Sequence, residues 1–176
     1  DTFGVGERVI TAKSAPVFGG VYKLVAVEDE QGNIIPKIKI SENTAKITNP
    51  HYKKLYRFYD NESGKALADE LCVYDETIDS TKPHTIFDPD AIWKTKTLTD
   101  YTARELHVTV FKNGELVYKQ PSLFEIKRYC AEQTETLWDE VKRFENPHTY
   151  YVDLSKKLWD IKNALLEKSK DGKDLK

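Results

Sequence analysis

Hydrophobic and polar residues alternate in several short segments of the first two-thirds of the chain, a pattern typical of β-strands. Residues 21–27 are rich in β-branched side chains, and residues 37–41 alternate with a period of two. The polar residues 28–33 between them include Gly32, which can adopt the positive φ that a tight turn requires. The pattern therefore predicts a first β-hairpin.

A second hairpin is predicted by two apolar runs, at residues 54–59 and 66–74, which flank the polar residues 60–64. The strand pattern then lapses, because residues 75–100 contain two prolines and many Thr and Asp residues. We expect a long irregular connection over 75–100. Four apolar side chains would attach it to the body of the protein: Ile86, Phe87, Ile92 and Trp93.

Residues 106–111 and 116–118 form the third predicted hairpin, and the turn between them contains Asn113-Gly114. Asn-Gly is favoured in two-residue type I′ turns because both residues tolerate positive φ. This is the clearest hairpin signal in the chain.

The last third of the chain has helical periodicity. Ser122 and Glu125 form a capping-box pattern, in which the hydroxyl accepts from the Glu125 backbone N–H and the carboxylate reaches back. Apolar residues then recur at helical spacing until Asn146-Pro147 ends the helix: Leu123, Ile126, Cys130, Leu137, Val141 and Phe144. A second helix is predicted from Asp153 or Ser155, with one apolar face: Leu154, Leu158, Ile161 and Leu165. The charged residues 169–176 are expected to fray.

These elements predict an α+β fold for the isolated chain, with β-hairpins followed by two C-terminal helices. We divide it into three segments. Residues 1–45 hold a glycine loop and the first strands, residues 46–120 are β-rich and include the long loop, and residues 121–176 are helical.

Composition narrows the function classes. The 176 residues carry a formal net charge of −2, which gives no electrostatic indication of nucleic acid or an anionic membrane as a partner. No apolar stretch approaches the ~20 residues of a membrane span. Cys72 and Cys130 lie far apart and are interpreted as reduced, mostly structural residues. The four histidines do not form a zinc pattern: His51, His84, His107 and His148. Of these, His107 and His148 are interpreted as structural or surface groups.

The candidate chemistry lies in Gly4-Val5-Gly6-Glu7, near the start of the sequence. Two glycines spaced by one residue allow successive backbone N–H groups to point at one phosphate without interference from Cβ atoms. The alternative is a tight turn in which the glycines only supply positive φ.

Several segments, in the same order along the chain, resemble nicotinate phosphoribosyltransferase. Three of them contain recognisable motifs: Gly-Val-Gly at 4–6, Gly-Gly-Val-Tyr-Lys-Leu at 19–24 and Tyr-Val-Asp-Leu-Ser at 151–155. The full set of segments is residues 3–12, 16–24, 37–43, 56–57, 137–140, 146–147 and 151–155. The resemblance implies the C-terminal part of an α/β-barrel type II phosphoribosyltransferase, in a polypeptide more than twice as long. It also implies formation of nicotinate mononucleotide from nicotinate and phosphoribosyl pyrophosphate with ATP hydrolysis, in NAD salvage.

The resemblance further implies a cytoplasmic homodimer that uses ATP and Mg²⁺. In this family the glycine loop contributes to the phosphate site, which assigns phosphate binding to Gly4, Val5, Gly6 and Glu7. Many members carry Thr at the position of Glu7, whose carboxylate repels phosphate. Glu7 would therefore either turn away and contribute only its amide or pair with Arg8 or Lys13. The histidine that ATP phosphorylates and the nicotinate pocket would lie before Asp1, so no catalytic residue is expected here and this chain alone would be inactive.

The alternative function is a non-catalytic α+β module that packs on the barrel and assists assembly. A basic and aromatic surface is a weaker candidate for nucleic-acid binding, and we interpret it as the solvated side of a sheet: Lys37, Lys39, Lys53, Lys54, Arg57, Tyr52, Tyr56 and Tyr59.

Overall fold

The computed structural model describes residues 2–6 and 20–170. Its strands, in chain order, are β1 Ala26–Glu28, β2 Ile34–Pro36, β3 Lys53–Asp60, β4 Ala66–Val73, β5 His84–Asp88, β6 Ala91–Leu98, β7 Tyr101–Glu105, β8 Phe111–Lys112, β9 Glu115–Leu116 and β10 Val152–Leu154. The helices are α1 Leu123–Glu135, α2 Asp139–Lys142 and α3 Lys156–Lys170, and a 3₁₀ turn spans Thr44–Lys46. The α+β prediction is confirmed.

A four-stranded sheet with the order β10-β4-β3-β7 forms the centre of the fold. Strand β3 is antiparallel to both β4 and β7, whereas β10 is parallel to β4. The register places Tyr56 opposite Glu70, and Asp153 of β10 opposite Glu70 on its other side. Because side chains alternate between the two faces of a strand, Glu70 and Asp153 share a face of the sheet.

The β5–β6 hairpin packs against that same face. The main core cluster lies between them and consists of Tyr56, Phe58, Ala68, Cys72, Ile86, Leu98 and Tyr101. Phe58 meets Tyr101 edge-on, with ring centroids 5.5 Å apart and an interplanar angle of 71°. This edge-to-face arrangement stabilises the aromatic pair beyond its burial.

Helix α3 packs on the edge of the sheet formed by β4 and β10. Val73, Leu154 and Leu158 are buried together there, with Trp159 and Ile161 packed against them. The helix begins where predicted, just after Ser155, but Leu154 lies in strand β10 rather than in the helix. Residues 171–176, part of the segment expected to fray, lie outside the described residues.

The first two predicted hairpins are present. The first hairpin forms closer to its turn than predicted: β1 overlaps only the end of the run at 21–27, and the predicted strand at 37–41 is wrong, because β2 lies before it at Ile34–Pro36. Gly32 has φ 83° in the turn. Strands β3 and β4 match the second prediction within one residue at each outer end, with Gly64 at φ 68°.

The long loop predicted over residues 75–100 is wrong for residues 84–98, which form the β5–β6 hairpin. Asp88 accepts hydrogen bonds from the backbone N–H groups of Asp90 and Ala91 and so fixes the turn. The sequence gives no alternation because the six central side chains of β6, residues 92–97, are all exposed.

The third hairpin is confirmed at its turn, where Asn113 and Gly114 have φ 52° and 81°, as a type I′ turn requires. Its strands are only two residues long. The predicted strand over residues 106–111 is displaced, because β7, at Tyr101–Glu105, pairs with β3 instead.

The capping box at Ser122 and Glu125 is confirmed. The single helix predicted to Phe144 is wrong, since α1 ends at Glu135 and α2 is a separate turn. The break has a clear cause: Lys65 Nζ donates to the Glu135 and Leu137 carbonyls, and the Ala66 N–H donates to that of Thr136. These bonds satisfy the free carbonyls at the helix end.

Candidate functional site

Gly4, Val5 and Gly6, predicted to bind phosphate, lie in an exposed segment without regular secondary structure. A Cβ atom added at Gly4 or Gly6 would meet no atom of the described chain within 4 Å. The fourth predicted residue, Glu7, lies outside the described residues. The structure therefore leaves the backbone of this loop accessible to a ligand, and its phosphate-binding role stays a prediction.

The two loop glycines differ from the turn glycines of the same chain. Gly32, Gly64 and Gly114 have positive φ, whereas Gly4 and Gly6 do not lie in that region. A requirement for positive φ, the alternative explanation for the Gly-x-Gly sequence, is thus absent from the described conformation.

The strongest polar network of the central sheet joins β3, β4 and the segment before β10. Arg57 donates from Nε and a terminal nitrogen to the two Asp69 oxygens, each at 2.8 Å. Tyr150 also donates to Asp69 at 2.8 Å, and its ring lies 5.6 Å from the Arg57 guanidinium carbon. The hydrogen bonds to Asp69 raise the pKa of Arg57, while burial raises the pKa of the Tyr150 hydroxyl. This network links β3, β4 and the segment before β10.

On the opposite face, Glu70 is the centre of a second network. His84 Nε2 lies 2.8 Å from Glu70 Oε2, and the Cys72 thiol lies 3.5 Å from the same oxygen. Burial raises the pKa of Cys72, with a further contribution from the Glu70 charge. A buried thiol with a raised pKa is a poor nucleophile, so the structural interpretation of Cys72 fits its surroundings.

A third acid, Glu76, links β4 to the start of α3. It accepts from the Val73 backbone N–H at 2.6 Å and from the Ser155 hydroxyl at 2.7 Å. The Ser155 oxygen in turn accepts from the Leu158 N–H at the beginning of the helix. These contacts anchor α3 and are structural.

A cavity of about 600 Å³ lies between β4, the β5–β6 hairpin and the chain leading into β10. Aromatic and charged side chains line it, among them Phe87, Asp88, Trp138, His148 and Asp153. Asp153 is only 4% exposed, and burial followed by the charges of Asp88 and Glu70 raises its pKa to about 6.

The sequence interpretation did not find this cavity or the role of Glu70 and Asp153. It placed the start of the last helix at Asp153 or Ser155 and predicted no strand before it, although the Tyr150-Tyr151-Val152 run has the β-branched and aromatic composition of a strand. That run was the available signal for β10. His148 lines the cavity and His107 Nδ1 accepts from the Leu55 N–H at 3.1 Å, so these two predicted structural or surface histidines occupy different environments.

The basic and aromatic surface is not continuous. Lys53 turns inward and donates to three backbone carbonyls, those of Asn49, Pro50 and His51. Arg57 is held by Asp69. Lys53 and Arg57 are therefore bound to groups within the fold and do not form part of a shared basic surface.

Within residues 2–6 and 20–170, no group of three or more His, Cys, Asp or Glu side chains is arranged to hold a metal ion. The described residues thus form no all-protein cage for the Mg²⁺ that the sequence resemblance implies. The helices of that same part are each too short or too polar to cross a membrane.

Comparisons with known proteins agree with this architecture. A family model for the nicotinate phosphoribosyltransferase C-terminal domain matches residues 52–162. The nicotinate phosphoribosyltransferase of Bacillus subtilis (strain 168) is 38% identical over 162 residues, which cover 92% of this chain and 33% of the relative. That of Dictyostelium discoideum is 32% identical over 184 residues, covering 100% of this chain and 30% of the relative.

A crystal structure of human nicotinic acid phosphoribosyltransferase shares the fold, with a TM-score of 0.61 at 24% identity over 68% of this chain and 24% of that chain. The chain spans about a third of the length of the curated relatives it matches. It belongs to the nicotinate phosphoribosyltransferase family, and the region matched by the family model is that family's C-terminal domain.

Proposed function

We propose that this chain is the C-terminal part of an enzyme that makes nicotinate mononucleotide from nicotinate and phosphoribosyl pyrophosphate, with ATP hydrolysis, in NAD salvage. The match to the family's C-terminal domain over residues 52–162 carries the proposal. Two relatives named nicotinate phosphoribosyltransferase support it, because alignments that cover 92% and 100% of this chain are 38% and 32% identical. The proposal includes a cytoplasmic homodimer.

The contribution of this chain to the reaction is phosphate binding by the glycine loop. The amides of Gly4, Val5 and Gly6 are exposed, and the space that a Cβ would fill at either glycine is open. A phosphate group can therefore approach the backbone closely and accept several N–H bonds, with Glu7 adding its own amide. Holding the 5-phosphate fixes the ribose relative to the attacking base, which lowers the entropic cost of the transfer.

The remaining chemistry is assigned to parts of the enzyme outside this chain. There, ATP would supply the phosphoryl group that couples hydrolysis to transfer, and Mg²⁺ would offset the negative charge of pyrophosphate. We assign the phosphorylated histidine and the nicotinate pocket to the remaining two-thirds of the length that the relatives contain. We therefore expect the isolated chain to be inactive.

The test uses the complete enzyme that contains this sequence. Gly6→Val would place a branched side chain where the phosphate approaches, and we expect the KM for phosphoribosyl pyrophosphate to rise at least about tenfold, with a smaller change in the KM for nicotinate. Val5→Ala is the matched control, because it keeps every backbone amide and shortens a side chain that is 60% exposed. An unchanged KM for phosphoribosyl pyrophosphate in Gly6→Val would contradict phosphate binding by the loop.

The second test concerns the isolated chain. Nicotinate mononucleotide formation is measured by chromatography after incubation with nicotinate, phosphoribosyl pyrophosphate, ATP and Mg²⁺. We expect no product above the enzyme-free background. Product formation would overturn the assignment of the catalytic groups to another part of the enzyme.

A second candidate function, a docking module, is favoured by the apolar surface of α1. Leu123, Phe124 and Tyr129 are 76%, 83% and 55% exposed on a 13-residue helix with no buried residue. Exposed apolar patches of this kind mark interaction sites. In this role α1 packs against the remaining two-thirds of the enzyme, the part of the relatives that this chain does not match. It contributes no catalytic group.

The docking role is tested by measuring the mass of the isolated chain in solution by light scattering. We expect self-association of the unaltered chain at high concentration and its reduction in Phe124→Glu. Glu132→Gln is the control, because it changes an exposed charge on the same helix. A monomer that remains unchanged in both variants would count against the docking role.

A further inference from the structure

Within the part of the chain that the structure describes, Asp153 is the buried carboxylate to which no hydrogen bond or ion pair is made. Asp69 receives bonds from Arg57 and Tyr150, and Glu70 lies within bonding distance of His84. Among the described residues, no hydrogen bond or ion pair to the Asp153 side chain offsets the effects of burial and of neighbouring negative charge. Buried polar groups in folded proteins are almost always paired, so this carboxylate calls for an explanation.

The carboxylate faces the 600 Å³ cavity. Asp153 lines it, and no fully buried polar side-chain atom in the described part of the chain lacks a partner, so the unpaired oxygens must keep contact with the cavity space. The neighbouring Asp88 is already bonded to the backbone of Asp90 and to Lys94. Of these two neighbouring carboxylates, Asp153 is the one to which no described group donates a hydrogen bond.

Part of the remaining cavity wall is apolar, and four further charged side chains, two of each sign, also line it: Asp88, Glu140, Lys94 and Lys96. Phe87 and Trp138 contribute aromatic rings, and Leu67 and Val141 contribute aliphatic surface. The volume lies within the range of small-molecule sites, about 300–1,000 Å³. A bare metal ion does not fit, since the described residues contain no cluster of three ligands. An anion such as nicotinate would be repelled by the carboxylate.

We propose that this cavity binds a small organic cation that presents an N–H-bearing amidinium or ammonium group to Asp153 and an aromatic body to Phe87 and Trp138. The ligand completes the missing hydrogen bonds of the carboxylate, and its rings replace water against the apolar wall. A charge-assisted bond of this type is about twice as strong as a neutral one, which sets the selectivity for cations. None of the described glycine-loop residues, 2–6, lines this cavity.

The test titrates benzamidine into the 176-residue chain at pH 7.5 and follows backbone amide signals by NMR. We expect saturable shifts confined to residues around 86–88, 138–141 and 150–154, with a dissociation constant on the order of 1 mM for so small a probe. Benzamide, the neutral isostere, should bind at least about tenfold more weakly, and benzoate should not bind.

Two variants separate this site from surface binding. Asp153→Asn should weaken benzamidine binding at least about tenfold, and Trp138→Ala should weaken it through loss of the ring. Asp160→Asn is the matched control, because Asp160 pairs with Lys156 on the exposed side of α3 and should leave binding unchanged. Thermal melting verifies that each variant is folded. Absence of saturable binding, equal binding of benzoate, or binding that Asp153→Asn leaves intact would each overturn the proposal.

Discussion

Two phenylalanines show how differently two regions of this chain use apolar residues. Phe58 in β3 is 0% exposed, and Phe124 in α1 is 83% exposed. The first lies in a core that the central sheet and the β5–β6 hairpin close by themselves. The second belongs to an apolar helix face that nothing in the described chain covers. The apolar residues of α1 therefore have helical spacing without being buried, and their spacing does not show that they stabilise the isolated chain.

The largest contrast is expected from truncating these two side chains. Phe58→Ala removes a fully buried ring and leaves a cavity, and it should lower the free energy of unfolding by about 3–5 kcal/mol. Phe124→Ala removes an exposed ring and should change it by less than about 0.5 kcal/mol. Urea denaturation followed by circular dichroism measures both. Similar losses for the two variants would show that α1 is covered in the isolated chain.

The next contrast compares a buried ion pair with an exposed one. Asp69→Asn leaves the Arg57 guanidinium, whose side chain is 20% exposed, without its carboxylate, and we expect a loss of about 2–3 kcal/mol. Asp75→Asn breaks the pair with Lys157, in which both side chains are about half exposed, and should have little effect. Raising the salt concentration should abolish the effect of the exposed pair only. A salt-sensitive loss in Asp69→Asn would contradict the burial argument.

Asp153 should behave in the opposite sense, because removing its charge stabilises the fold. Its folded-state pKa of about 6 lies above the unfolded value of about 3.9, so the native state binds its proton more tightly and loses stability as pH rises between these values. At pH 7.5, Asp153→Asn should therefore be more stable than the unaltered chain by about 1–2 kcal/mol, with the difference vanishing below pH 4. Glu115→Gln, at an exposed position of β9, is the control. Denaturation curves from pH 4 to 8 would contradict the prediction if Asp153→Asn showed no pH-dependent gain.

The smallest effect is expected at the start of α1. Ser122→Ala removes the hydroxyl that accepts from the Glu125 N–H, and helix caps of this kind contribute about 1 kcal/mol. Because α1 has no buried residue, we expect local fraying rather than global unfolding. Amide exchange should accelerate in the first turn of α1 while β3 and β4 stay protected. Faster exchange in the sheet would mean that α1 and the sheet unfold as one unit.

Local signals in the sequence predicted the elements that local interactions define. The Asn113-Gly114 turn, the Gly64 turn and the capping box at Ser122 depend on residues within a few positions of one another, and all three are present. The Gly-x-Gly loop was also visible in the sequence, and its phosphate binding stays a prediction.

Long-range contacts account for the elements that the sequence did not predict. Strand β6 is exposed at six successive positions, so its pairing with β5 leaves no alternation to detect. Helix α1 ends because Lys65, 70 positions earlier in the chain, bonds to its last carbonyls. The environment of Asp153 is set by Glu70 and Asp88, residues far away in sequence.

The parallel pairing of β10 with β4 also has a consequence for the order in which the protein is made. Tyr150 bonds to Asp69 across 81 positions of sequence, and Val152 lies opposite Asp69 in the sheet. During synthesis β3, β4 and β7 emerge from the ribosome well before β10, so the outer edge of β4 must wait with unpaired amides. Such an edge can pair with another chain, which makes the nascent protein most prone to misassembly just before its final strand and helix α3 arrive.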